Sequence, residues 1–156
     1  MSTVPVPGVA RTLRITDAFG DFVTIEVRGR KYPQANDFWD GNWLDTPLTI
    51  HVGSFDGQVS STLRSNELLK FKEELEVLYR DNAGTAVLSS MEDWLLIEFV
   101  ADALGHLKVT GHLRDEVGGG YGNDLDFELR GLDQTWLPPI LTSLEEVLAT
   151  YPVVGR

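Results

Sequence analysis

Several residue groups in this chain have the types and spacing for chemistry. His106 and His112 sit six residues apart in an alternating segment, and histidines can bind metal or carry protons near neutral pH. On a strand both would point the same way, roughly 20 Å apart and beyond the reach of one metal. His51 lies on a separate alternating segment. All three read as solvent-facing strand histidines, so no metal site is expected. Asp124, Asp126 and Glu128 in "DLDFELR" would share an outward face, and paired carboxylates suit acid–base or glycosidic chemistry. The preceding segment presents Lys108, Thr110, His112 and Arg114. One antiparallel register sets Lys108 opposite Glu128 and His112 opposite Asp124. That makes a solvated face of cross-strand ion pairs the better reading.

Other candidates weaken in the same way. "GGGYGND", residues 118–124, lacks the following helix and the Lys-Ser or Lys-Thr pair of a phosphate loop. It reads as a hairpin loop, with Asp115, Glu116 and Tyr121 available as contacts. The serines at 54, 60, 61, 65, 89, 90 and 143 include none in a G-x-S-x-G elbow. The chain has no cysteine, which excludes disulfides, zinc–thiolate sites and thiol catalysis. No catalytic residue and no cofactor is expected, and the chain does not read as an enzyme.

"NDFWDGNWLD", residues 36–45, concentrates two tryptophans, a phenylalanine and three aspartates around an Asp-Gly pair. Asp40-Gly41 is a hairpin signal. It would set Trp39 against Asn42 and Phe38 against Trp43, with rings anchoring the turn to the core. The exposed remainder, Asp37, Trp39 and Asp40, would be a contact patch, since tryptophans are favoured interface anchors. A second reading uses Trp39 and Trp43 as stacking platforms for a carbohydrate or other small ligand.

The elements that must position these residues follow from hydrophobic period. Leu13 and Ile15, then Val23, Ile25 and Val27, then Leu48, Ile50 and Val52, then Val59 and Leu63 alternate with polar residues as four strands. Leu68, Phe71, Leu75 and Leu78 switch to helical spacing, with Ser65 as N-cap, Glu67 in the first turn and "DNAG" as the stop. Strands return at 85–89, at 94–101, around Leu107 to Leu113, and around Leu125 to Leu129. The segment 94–101 is apolar on nearly both faces and is expected centrally in the sheet, under a helix. A second helix carries Leu137, Ile140, Leu141, Leu144 and Leu148, capped by Asp133 or Thr135, with Pro138 and Pro139 in its first turn. The expected fold is α+β: an antiparallel β-sheet of about eight strands in two four-strand halves, each followed by a helix packed on the sheet. Residues 1–10, with Pro5, Pro7 and Gly8, read as a loose lead-in, and 11–156 as a single domain.

Composition limits the partners. Thirteen basic against 24 acidic residues give a net charge of −11. Direct nucleic-acid binding is disfavoured by that sign. An acidic protein is instead steered onto a basic partner. No apolar run is long enough to span a bilayer, so a soluble, cytoplasmic protein is expected.

"DFWDGNWL" at 37–44, Ser-Met-Glu at 90–92, "GHLKVTG" at 105–111, "DQTWL" at 133–137 and "YPVVG" at 151–155 together resemble the WapI-like immunity proteins. The resemblance runs from about residue 30 to 155. It implies a small cytoplasmic bacterial protein encoded beside a large contact-dependent toxin, whose C-terminal domain it binds and blocks. In the founding system that domain is a tRNA-cleaving nuclease. The partner implied is therefore a basic toxin domain, and the family carries no catalytic residues across.

Overall fold

A computed structural model describes residues 11–156. The lead-in expected at 1–10 lies outside the described residues. The fold is α+β, but the strands do not form one eight-strand sheet. Among the described residues there are eleven strands in three antiparallel sheets.

The first sheet has the order β1-β2-β5-β6. It joins β1 (Arg11–Thr16), β2 (Phe22–Val27), β5 (Leu48–Val52) and β6 (Phe55–Val59). The second has the order β11-β10-β9-β8. It joins β8 (Thr85–Ser89), β9 (Leu95–Ala101), β10 (His106–Arg114) and β11 (Asp124–Asp133). A small third sheet, β3-β4-β7, joins β3 (Gly29–Arg30), β4 (Trp43–Asp45) and β7 (Thr62–Arg64). Its strands are two or three residues long, too short to show a period of two.

Alternation sorts side chains as expected on the large sheets. Leu13, Ile15, Val23, Ile25, Leu48 and Ile50 face inward from the first, and Ala86, Leu88, Leu95, Ile97, Phe99 and Val109 from the second. The helices α2 (Ser65–Asp81) and α3 (Leu137–Thr150) supply the rest of the core. α2 packs on β8, α3 packs on β1, and the two helices pack on each other. Phe71 of α2 meets Phe99 of β9 with ring centroids 5.7 Å apart. Full burial of each such side chain contributes roughly 1.5–3 kcal/mol, so the stripe Leu68, Phe71, Leu75 and Leu78 is enough to fix α2 without strong intrinsic propensity.

The helix ends refine the sequence expectations. Arg64, not Ser65, occupies the N-cap of α2, and the Glu67 carboxylate accepts from the Arg64 N–H at 2.8 Å. Asn82 ends α2 in the left-handed conformation, at φ 51°. Asp133 caps a short 3-10 turn, Gln134–Trp136, that leads into α3. The buried stripe of α3 is Leu137, Ile140, Leu144 and Val147, while Leu141 and Leu148 are only partly buried.

β9 is interior to its sheet, but its outer face is not under a helix. Leu96, Glu98 and Val100 point out and are exposed, while Leu95, Ile97 and Phe99 point in. The β10–β11 register also differs from the expected one. His112 pairs with Asp126, and Thr110 with Glu128. The loop sets this register: Arg114 pairs with Asp124, and Asp115 closes onto Asn123. A bulge then shifts the pairing by one further residue between Leu107 and Val109. Gly131 has φ 76° there, a conformation that favours glycine. A Cβ on it would meet Ala18 at 2.7 Å. The buried Asp17 side chain accepts from Phe19, Asp21 and Arg130 N–H groups, which docks the β1–β2 turn on this bulge.

Candidate interaction face

The stretch from 36 to 45 is not a hairpin. Phe38–Gly41 forms a single helical turn, α1, and Asn42 then leads into β4. Asp37 caps it, accepting from the Asp40 N–H at 3.1 Å. The expected pairs Trp39–Asn42 and Phe38–Trp43 are therefore absent. Phe38 instead meets Trp39 edge-on, with ring centroids 5.5 Å apart.

Two buried polar residues explain why a helical turn replaces the hairpin. The Arg64 guanidinium donates to the carbonyls of Phe38 (2.5 Å) and Trp39 (3.2 Å). It also lies 4.9, 5.4 and 5.3 Å from the rings of Phe38, Trp39 and Trp43. A single turn of four residues leaves its carbonyls short of partners within the helix, and the Arg64 guanidinium supplies charged donors to them. Asn42, fully buried, reaches the C-terminal segment. Its amide donates to Phe38 O (2.9 Å) and Val154 O (3.0 Å), and its carbonyl accepts from the Val154 N–H (2.9 Å). Arg30 adds bonds to Gly41 O and Pro152 O. The two motifs "DFWDGNWL" and "YPVVG" are thus one latch. Close packing enforces it: a Cβ on Gly155 would sit 2.1 Å from the Phe38 nitrogen.

The latch leaves Asp37, Trp39 and Asp40 exposed, with Trp39 at 65%. Trp43 is half-buried against Arg64, so Trp39 and Trp43 do not form two open stacking platforms. The other expected contacts, Asp115, Glu116 and Tyr121, are also exposed, Tyr121 at 85%. Asp115 has a structural duty as well. It accepts from the Asn123 backbone and side chain at 2.7 and 3.0 Å. The Asn123 side chain and then its backbone hold the Asp115 carboxyl below its ordinary range, so it is anionic at neutral pH and closes the 115–123 loop.

Hydrogen bonds link these two patches through a third that sequence reasoning missed. Glu67, which caps α2 beside Arg64, also accepts from the Met91 N–H at 2.6 Å. Burial pushes the Glu67 carboxyl up, and the two backbone donors pull against that. The turn that Glu67 holds exposes Met91, at 60%, with Glu92 and Asp93. Arg114, the last residue before Asp115, donates its backbone N–H to Trp94 O at 2.9 Å. Trp39, Met91 and Tyr121 are thereby exposed large side chains on a linked series of segments that also carry Asp37 and Asp40, Glu92 and Asp93, and Asp115 and Glu116. The motif "SME" was a signal for Met91, but only the fold shows that it lies between the other two.

The titratable groups on the sheets are paired rather than clustered. Each histidine sits beside an aspartate: His51 beside Asp56 (2.6 Å), His106 beside Asp102 (3.3 Å), and His112 between Asp126 (2.5 Å) and Asp124 (3.0 Å). The Asp126 hydrogen bond, with Asp124 behind it, raises the His112 pKa. No group of three or more metal-ligating side chains occurs among the described residues. No helix of those residues is long and apolar enough to cross a membrane.

A Schizosaccharomyces pombe protein named "Putative protein disulfide-isomerase" is 26% identical over 137 residues, covering 86% of this chain but only 27% of its own length. The chain thus spans about a quarter of that relative. No solved structure matches significantly. The Immunity protein WapI-like family matches residues 14–152, from the first strand through the end of α3, and the chain belongs to that family.

Proposed function

We propose that this chain neutralises a toxin domain by stoichiometric binding in the cytoplasm and does no chemistry of its own. The family match over residues 14–152 carries the reading. The toxin is a basic nuclease domain in this account, because a protein of net charge −11 complements a surface built to hold RNA. Trp39, Asp40, Glu116 and Tyr121 are the proposed contacts, and the Trp39 ring also packs against Arg64 and Phe38. Asp37 and Asp115 contribute charge while holding their own segments in shape. The large exposed aromatic side chains flanked by carboxylates fit the anchor-and-rim anatomy of protein interfaces. The name of the fission-yeast relative carries no activity here, since thiol exchange requires a cysteine and the chain has none.

Expression of the toxin domain encoded beside this chain tests the proposal. Cells that make both proteins should grow, and cells that make the toxin alone should not. Equal growth arrest with and without this chain would end the proposal.

A further inference from the structure

The loop patches alone are small for a stable complex. Specific interfaces bury about 800 Å² on each partner, and one well-buried aromatic contributes about 150–250 Å². The second sheet continues from the same segments. β10 runs through Thr110, His112 and Arg114 directly into Asp115, and β9 begins next to Trp94. Its outer face holds a groove of about 570 Å³ whose lining includes Leu96, Glu98, Thr110, Asp126, Glu128 and Arg130.

The groove is apolar at one point and acidic around it. Leu96 is 43% exposed in the middle of a sheet face, and neighbouring Val100 is also exposed. Glu98 makes no hydrogen bond or ion pair among the described residues. Asp126 is held only by His112, and Glu128 is 4.0 Å from Arg130. In the groove lining three carboxylates therefore face one guanidinium, with His112 adding charge only when protonated, and exposed Lys108, opposite Val100, adds a cation at the edge of the same face. The bulge at Gly131 lies next to Arg130 and Glu128, and bulges bend and twist the strand that carries them.

We infer that this groove receives a lysine- or arginine-bearing segment of the toxin, its aliphatic stem on Leu96 and its cation among Glu98, Asp126 and Glu128. Long basic side chains bury their stems on apolar surface while the head stays with polar partners. A second copy of this acidic chain would set carboxylate against carboxylate there, and nucleic acid has the wrong sign. The inference rests on the immunity reading and names the surface that reading uses.

The test is calorimetric titration of the adjacent-gene toxin domain with the wild-type chain and with the pair Glu98→Arg and Glu128→Arg together. Both positions are exposed, so folding should survive, and circular dichroism checks it. The double variant should bind at least tenfold more weakly. Wild-type affinity should fall as salt rises from about 0.05 to 0.5 M. If charge reversal unfolds the protein, Glu98→Gln with Glu128→Gln decides instead, with at least a threefold loss expected. Binding by the folded variants within a factor of two of wild type overturns the groove assignment and leaves the immunity function standing. Absence of any wild-type binding overturns both.

Discussion

Asn42→Ala is the sharpest perturbation of the latch. The substitution removes three hydrogen bonds of 2.9–3.0 Å from a fully buried position. The losses are unequal. Phe38 O keeps its bond from Arg64, so the cost falls on the N–H and C=O of Val154. A buried orphan of this kind costs about 1–3 kcal/mol. Val154 is half-buried, so water recovers part of that, and the two groups together should cost roughly 2–3 kcal/mol. For a chain of 156 residues that is a fall in Tm of roughly 4–12 °C. Chemical denaturation should show a lower midpoint at unchanged slope. Limited proteolysis should cut near Val154 first, because the tail loses its tether. A loss below about 1 kcal/mol, with the tail still protected, would refute the claim that Asn42 joins the two motifs.

Three further outcomes follow from the same geometry. Gly111→Ala would place a Cβ 2.1 Å from the Phe127 ring, and overpacking of this kind should cost about 1–3 kcal/mol in urea unfolding. Trp39→Ala keeps the Arg64 bond to the backbone carbonyl but removes the ring's exposed contacts with Arg64 and Phe38, so it should cost only about 0.5–1 kcal/mol of stability, yet weaken toxin binding about thirtyfold, as loss of a hot-spot anchor worth about 2 kcal/mol does. For His112, the raised folded-state pKa means that its ion pairs stabilise fully below the ordinary histidine value and lose that contribution as pH climbs through the raised one. His112→Gln should therefore match wild type at pH 9 and trail it at pH 5, by only a few tenths of a kcal/mol since the pair is largely exposed; thermal melts at the two pH values check the sign.

Much of the scaffold was legible because period reports burial. Strands such as Val23–Val27 and Leu48–Val52, and the stripe Leu68 to Leu78, bury as their spacing requires. The failures have a common cause in contacts distant along the chain. Asp40-Gly41 carries a real local turn preference, but Asn42 bonded to Val154 and Arg64 bonded to Phe38 override it. The β10–β11 register is set where Asp115 closes the loop onto Asn123, a contact that alternation does not show, and the Gly131 bulge against Ala18 shifts it by one more residue beyond Leu107. Leu96 and Val100 made β9 read as covered on both faces. They are exposed instead, and that mismatch directs attention to the groove. The contact residues named from sequence do lie on the surface, as charged and aromatic loop residues usually do. Their linkage through Glu67 and Met91 needed the fold.

The central claim is inhibition by one-to-one binding. The most direct measurement titrates this chain into a fixed amount of the toxin domain proposed as its partner and follows the RNA cleavage proposed for that domain. The account predicts a linear fall in activity that reaches zero at one chain per toxin, with no lag and no modified toxin recovered by mass spectrometry. Full cleavage in the presence of excess chain would contradict it. So would inhibition that continued to deepen with time at far less than one equivalent, since that is the behaviour of a catalyst.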